Sequence, residues 1–232
     1  MAKAESLGHF YKRNFTCLVD GQDFDVFRMK PTPKRKFSRR DEFLDVDYFE
    51  SDTGGEFTDY LYQEVVVCPG CGFASGEDRF FRGPSRFVDA VEFDRSLRDS
   101  LKKTTPERLE TCERATDLYC FPRSLEDALL SYEVGIQTSR SLLTLDRRRF
   151  TSEARRIPSY SFKAARIATA AGRKELEEKW LRRALETLED AVEVVTGSSL
   201  YRSYYQIIAL SIQLGEDRNA VRDLHRMRTT AE

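Results

Sequence analysis

Two short stretches of this chain carry residue types that could share a metal ion. Residues 65–75 read VVVCPGCGFAS, with Cys68 and Cys71 in Cys-x-x-Cys spacing and a glycine directly after the second thiol. In such a turn Pro69 fixes one φ, while Gly70 and Gly72 permit positive φ, so that backbone N–H groups turn toward thiolate sulfur. A structural zinc site takes four ligands, which sends the search upstream for another pair. There NFTCLVDGQDF, residues 14–24, repeats the spacing: Cys17-Leu18-Val19-Asp20-Gly21 keeps the glycine and sets a carboxylate where a fourth thiol would stand. Zinc accepts carboxylate oxygen as well as sulfur, so Cys17, Asp20, Cys68 and Cys71 form a chemically allowed ligand set for a structural ion. Two other readings stay open: His9 folding back as the fourth ligand, and a ribbon whose metal has been lost.

A Cys-x-x-Cys pair also serves thiol redox chemistry, where it opens a helix that stabilises the thiolate. Here Gly72 and Gly76 follow within five residues of Cys71 and argue against a helix, which favours the metal knuckle over a redox role for Cys68 and Cys71. No Gly-rich phosphate loop, His-Glu-x-x-His or Gly-x-Ser-x-Gly pattern occurs in the sequence, and a non-enzymatic protein is expected. His225 stands isolated beside arginines, as on an exposed helix face. Cys112 and Cys120, in TCERATDLYC, read as small buried hydrophobes of one helix.

The elements that must position these residues change type along the chain. Residues 10–75 are dense in aromatic and β-branched side chains, Tyr60 and Tyr62 among them, and are punctuated by Gly, Pro and Asp, as in strands and loops. A charged insertion, residues 28–59, runs from basic (Lys30 to Arg40) to acidic (Asp41 to Glu56) and reads as solvated loop. From about residue 86 the period is helical. Thr105 is the expected N-cap of a helix with Pro106 at its first position, and Ser124-Leu-Glu-Asp127 is a capping-box-like start. Trp180, Leu181, Ala184, Leu185, Leu188, Ala191, Val192 and Val195 form one apolar stripe. A further pair follows, with Tyr201, Tyr204, Tyr205, Ile208 and Ile212 expected to be core, then Ala220, Leu224 and Met227. The fold expected is α+β and mostly helical: a β-rich zinc-ribbon-like head over residues 10–84 and a helical body over 85–230.

With both knuckles and the helices in view, the whole chain resembles a bacterial family catalogued as domain of unknown function 2225. The resemblance covers roughly residues 12–228 and rests most on Cys68-Pro69-Gly70-Cys71-Gly72-Phe73-Ala74. Leu18 and Asp20 depart from the family's first Cys-Pro-x-Cys motif. The resemblance implies a body of tetratricopeptide-like hairpins, matched at 124–136 and 204–227 except that Ile208 stands where such repeats prefer a small residue. It implies no reaction and no substrate.

Composition narrows the function classes. The 232 residues are 33% charged, against about 25% in a typical chain, yet the net charge is -1. A global charge argument for nucleic acid therefore fails; residues 1–80 hold 11 Lys/Arg against 15 Asp/Glu. The amino terminus lacks a secretory h-region and no window approaches a membrane span, so a soluble cytoplasmic protein is expected. Five cysteines suit a reducing compartment. Between Arg147 and Arg183, Lys and Arg outnumber Asp and Glu, and Arg147, Arg148, Arg149, Arg155, Arg156, Lys163 and Arg166 form a candidate surface for an acidic protein partner. The leading expectation is a protein-interaction scaffold with structural zinc; the alternatives are a nucleic-acid-associated zinc ribbon and a thiol-redox protein.

Overall fold

A computed structural model describes residues 10–30, 38–40, 46–48, 60–83 and 91–229. His9 and most of the charged insertion, residues 31–37, 41–45 and 49–59, lie outside the described residues. The chain divides into two compact units, one of residues up to Arg39 with Asp47–Val134, the other of Arg40–Val46 with Gly135 onward.

In the first unit the amino-terminal segment forms β1 (Phe10–Cys17), and a tight turn returns it as β2 (Asp23–Met29), antiparallel with Phe15 facing Phe24 across the pair. Short strands β3 (Ser38–Arg40) and β4 (Val46–Tyr48) follow. Tyr60–Gln63 is one turn of helix, α1, where strand was expected; Tyr60 and Leu61 are buried by it. β5 (Val66–Val67) and β6 (Ala74–Ser75) flank the Cys68–Cys71 turn. After a 3-10 turn at Asp78–Phe80, β7 (Phe81–Arg82) pairs with the end of β1, giving a sheet of order β2-β1-β7. Its core is aromatic: Phe81 stacks on Phe15 at 5.6 Å and meets the edge of Phe73 at 5.7 Å, and Phe73 in turn touches Phe93. Large rings of this kind bury much area per residue and fix mutual orientation.

Two helices, α2 (Arg95–Lys103) and α3 (Thr105–Glu113), complete this unit with the start of α4 (Leu125–Leu145). The cap of α3 is Thr104 and not Thr105, which places Pro106 inside the first turn. Ser124 does cap α4: its hydroxyl accepts from the Asp127 N–H at 3.1 Å. Asp127 is buried, and its carboxylate accepts from the backbone N–H groups of Thr116 and Asp117. That loop starts where α3 ends, so Cys112 and Cys120 share no helix. Cys112 is buried as expected and Cys120 is exposed.

The second unit contains the rest of α4 with α5 (Thr151–Ala170), α6 (Lys174–Val192), α7 (Ser198–Gln213) and α8 (Asp217–Thr229). α5 packs on α6, α6 on α7 and α7 on α8, and the connections between successive helices have three to five residues, which suit antiparallel neighbours. The stripe of α6 is buried as its period requires, apart from a half-buried Val192. On α7 the buried face is Ser203, Gln206, Ile207, Leu210 and Ser211, not the tyrosines, and Tyr205 and Ile212 are exposed. On α8, Ala220 and Asp223 are buried, while Leu224 is exposed. The described residues thus give eight helices and a small amino-terminal antiparallel sheet, an α+β fold. No helix of the described residues is long and apolar enough to cross a membrane.

Candidate metal centre

The two knuckles fold alike. In the first, the Cys17 N–H donates to the Gln22 carbonyl at 2.9 Å and the Gly21 N–H to the Cys17 carbonyl at 3.0 Å. In the second, Cys68 N–H donates to the Phe73 carbonyl and Gly72 N–H to the Cys68 carbonyl, both at 2.9 Å. Gly21 and Gly72 carry φ of +79° and +64° at equivalent positions, where a side chain would be strained. The repeated Cys-x-x-[Asp/Cys]-Gly spacing is therefore a repeated backbone geometry.

The turns meet. The sulfur of Cys17 lies 3.7 Å from that of Cys71, and the sulfur of Cys68 lies 3.4 Å from Asp20 Oδ2. The four ligand atoms all fall within 4.8 Å of one another. For zinc bonds of about 2.3 Å to sulfur and 2.0–2.2 Å to oxygen, a tetrahedron has edges of roughly 3.8 Å between sulfurs and 3.5 Å from sulfur to oxygen. The Cys17–Cys71 and Cys68–Asp20 separations match those edges and the remaining ones stay within 4.8 Å, so Cys17, Asp20, Cys68 and Cys71 could hold a metal ion. The three thiols are buried, whereas Asp20 is exposed.

Neighbouring groups hold the ligands in place. The Val19 N–H points at the Cys17 sulfur at 3.4 Å, and the Gln22 N–H donates to Asp20 Oδ1 at 3.0 Å. Gly70 lies under the Asp20 and Gln22 side chains, so that a methyl group there would sit 2.5 Å from Asp20 Oδ2. From behind, buried Arg108 of α3 donates through Nε to the Cys71 carbonyl at 3.2 Å and through its other nitrogens to Leu101 O and the Thr104 and Thr105 hydroxyls. The Arg123 guanidinium donates to the carbonyls of Val65 and Tyr62, pinning the strand that enters the second knuckle. Neither arginine is marked by any spacing pattern, and sequence reasoning missed both.

Packing three thiols together divides their protons unequally. Hydrogen bonds from Cys17 and then Cys71 pull the Cys68 thiol down to about 3. Cys17 is pushed far up by its contacts with Cys68 and Cys71 and by burial. At Cys71 the Cys17 contact acts downward, but Cys68 and burial outweigh it and the thiol rises. Without a cation the cluster carries one thiolate and two protons, which a bound divalent ion would displace.

The chain belongs to the DUF2225 family. The family model, described as an uncharacterized protein conserved in bacteria, matches residues 10–232 and so spans both units. No curated protein matches the chain, and no solved structure does.

The candidate interaction residues divide. Arg147, Arg148, Arg149 and Arg155 are exposed. Arg156 instead turns to the buried carboxylate of Glu153, Lys163 is buried and Arg166 half-buried. A helix of 20 residues packed on two sides cannot present its whole basic content to solvent, so the surface read from the sequence shrinks to its amino-terminal end.

Proposed function

We propose that the protein is a non-enzymatic interaction scaffold whose first unit is pinned by a structural zinc ion. The observation that carries this reading is the convergence of three buried sulfurs and one carboxylate within 4.8 Å of one another. A site with four protein ligands is closed and serves folding, whereas catalytic zinc keeps a position open. Zinc suits a thiolate-rich tetrahedral set better than the harder divalent cations do. The interaction half of the reading is supported by the serially packed helices of the second unit, in line with the tetratricopeptide-like pattern read from the sequence. It is also supported by large apolar side chains left in solvent on the last two helices, Ile212 at 59% and Val221 at 68% exposure.

Two measurements test the proposal. Elemental analysis of the purified protein should give one zinc per chain, and a protein purified with zinc present but bound to none would sink the metal half. Affinity capture from a bacterial lysate should retain protein partners that an Arg148→Glu/Arg155→Glu chain loses. A chain that retains no protein would sink the scaffold half.

A further inference from the structure

The second unit contains a groove of about 610 Å³ between the carboxyl-terminal parts of α4 and α6, with α5 as its floor, a volume within the usual range for ligand sites. One wall carries Arg140, Leu143 and Arg147, at steps of three and four along α4 and just past its end. The other wall carries Thr187 and Asp190 of α6, with Glu193 and Val194 just past its end. Arg140 and Leu143 share one face of α4, and Thr187 and Asp190 one face of α6; Arg147, Glu193 and Val194 extend the two walls past the helix ends. The floor between them is Ala154 and Ile157 of α5.

The charges are arranged but unused. Arg140 and Arg147 are exposed and reach no carboxylate among the described residues, and Asp190 and Glu193 reach no cation there. Two positive groups from the α4 side and two negative groups from the α6 side thus line one groove, with no ion pair between them among the described residues.

We infer that this groove binds a short helical protein segment with an apolar ridge, carboxylates along one edge and Lys or Arg along the other. The acidic edge lies against Arg140 and Arg147, the basic edge against Asp190 and Glu193, and the ridge on Ala154 and Ile157. This is helix-in-groove recognition with charge complementarity on both sides, which sets specificity more than strength. It deepens the scaffold reading above and rests on it.

The test uses the full chain and a fluorescein-labelled synthetic helix bearing a leucine stripe flanked by Glu on one edge and Arg on the other. Wild type should bind it saturably and about tenfold tighter than a peptide of the same composition with mixed edges. Arg140→Glu/Arg147→Glu makes both walls acidic; it should lose the two-edged peptide and gain one with Arg on both edges. Adding Asp190→Lys/Glu193→Lys swaps the walls and should restore the original peptide, which then lies in the opposite direction. All four side chains are exposed, so each variant should keep the wild-type far-UV spectrum. Absence of saturable binding by wild type, or affinity indifferent to the wall reversals, overturns the inference. Lysate partners retained undiminished by the Arg140→Glu/Arg147→Glu chain overturn the groove while leaving the scaffold reading standing, and a wild-type chain that captures no protein overturns both.

Discussion

Asp20 is the residue on which the metal centre turns. Three thiolates and a carboxylate should bind zinc less tightly than four thiolates, so Asp20→Cys is expected to raise zinc affinity and Asp20→Ala to lower it. Competition with a chromophoric chelator would measure both, and an Asp20→Ala chain with unchanged affinity would remove the carboxylate from the ligand set. Because the raised thiols of Cys17 and Cys71 hold protons that the ion must displace, apparent affinity should climb with pH through the neutral range. One displaced proton gives about tenfold per pH unit, two about a hundredfold. A flat profile from pH 6 to 8 would contradict the proton assignment. At this scale the cluster that could hold an ion was legible in the sequence, because cysteine spacing and glycine are constrained by the turn itself. Arg108 was not, since an arginine on a helix announces nothing until the Cys71 carbonyl is brought to it.

Elements show where periodicity suffices and where it does not. The α6 stripe was readable because only one face of that helix is apolar. In α7 apolar residues occupy more than one face, and the period cannot choose between them. The tyrosine stripe lost to a face of Ser203, Ile207, Leu210 and Ser211, whose small members permit close packing. The Ser203 hydroxyl donates to the Ser199 carbonyl at 3.1 Å and so is buried without an unmade hydrogen bond. Two substitutions test the elements that hold the site. Gly72→Ala must adopt positive φ and place a methyl group 2.8 Å from Arg108 Cβ; a loss of about 1–3 kcal/mol is expected in urea titration. Ser124→Ala removes the α4 cap and should cost about 1 kcal/mol by the same measurement.

For the whole molecule, the division into two units predicts how metal loss will be felt. All four ligands belong to the first unit, while α5 to α8 have their own apolar core around Ile167, Trp180, Leu188 and Leu210. Removing the ion by chelation should lower one thermal transition by roughly 10 °C or more, since a kcal/mol moves the midpoint of a unit this size by about 4–8 °C. The helical signal of the second unit should persist in circular dichroism through that transition. Loss of all helicity in a single shifted step would show that the units do not unfold separately. The mostly helical α+β class was legible from the change of period along the chain. The division into units falls inside α4, where a helix of 21 residues shows no break in its own pattern as Val134 gives way to Gly135.

The three sulfurs sit behind the carboxylate, and the carboxylate faces water. Dissociation of a bound ion would then begin at one hinge, with a water molecule stepping into the vacated place while both turns keep their backbone bonds. Such a centre would trade its ion at the exposed carboxylate while the buried sulfurs hold the two turns together. Its occupancy in the cell would follow the buffered free concentration of the metal, and chains of one age would carry different loads as that supply rose and fell.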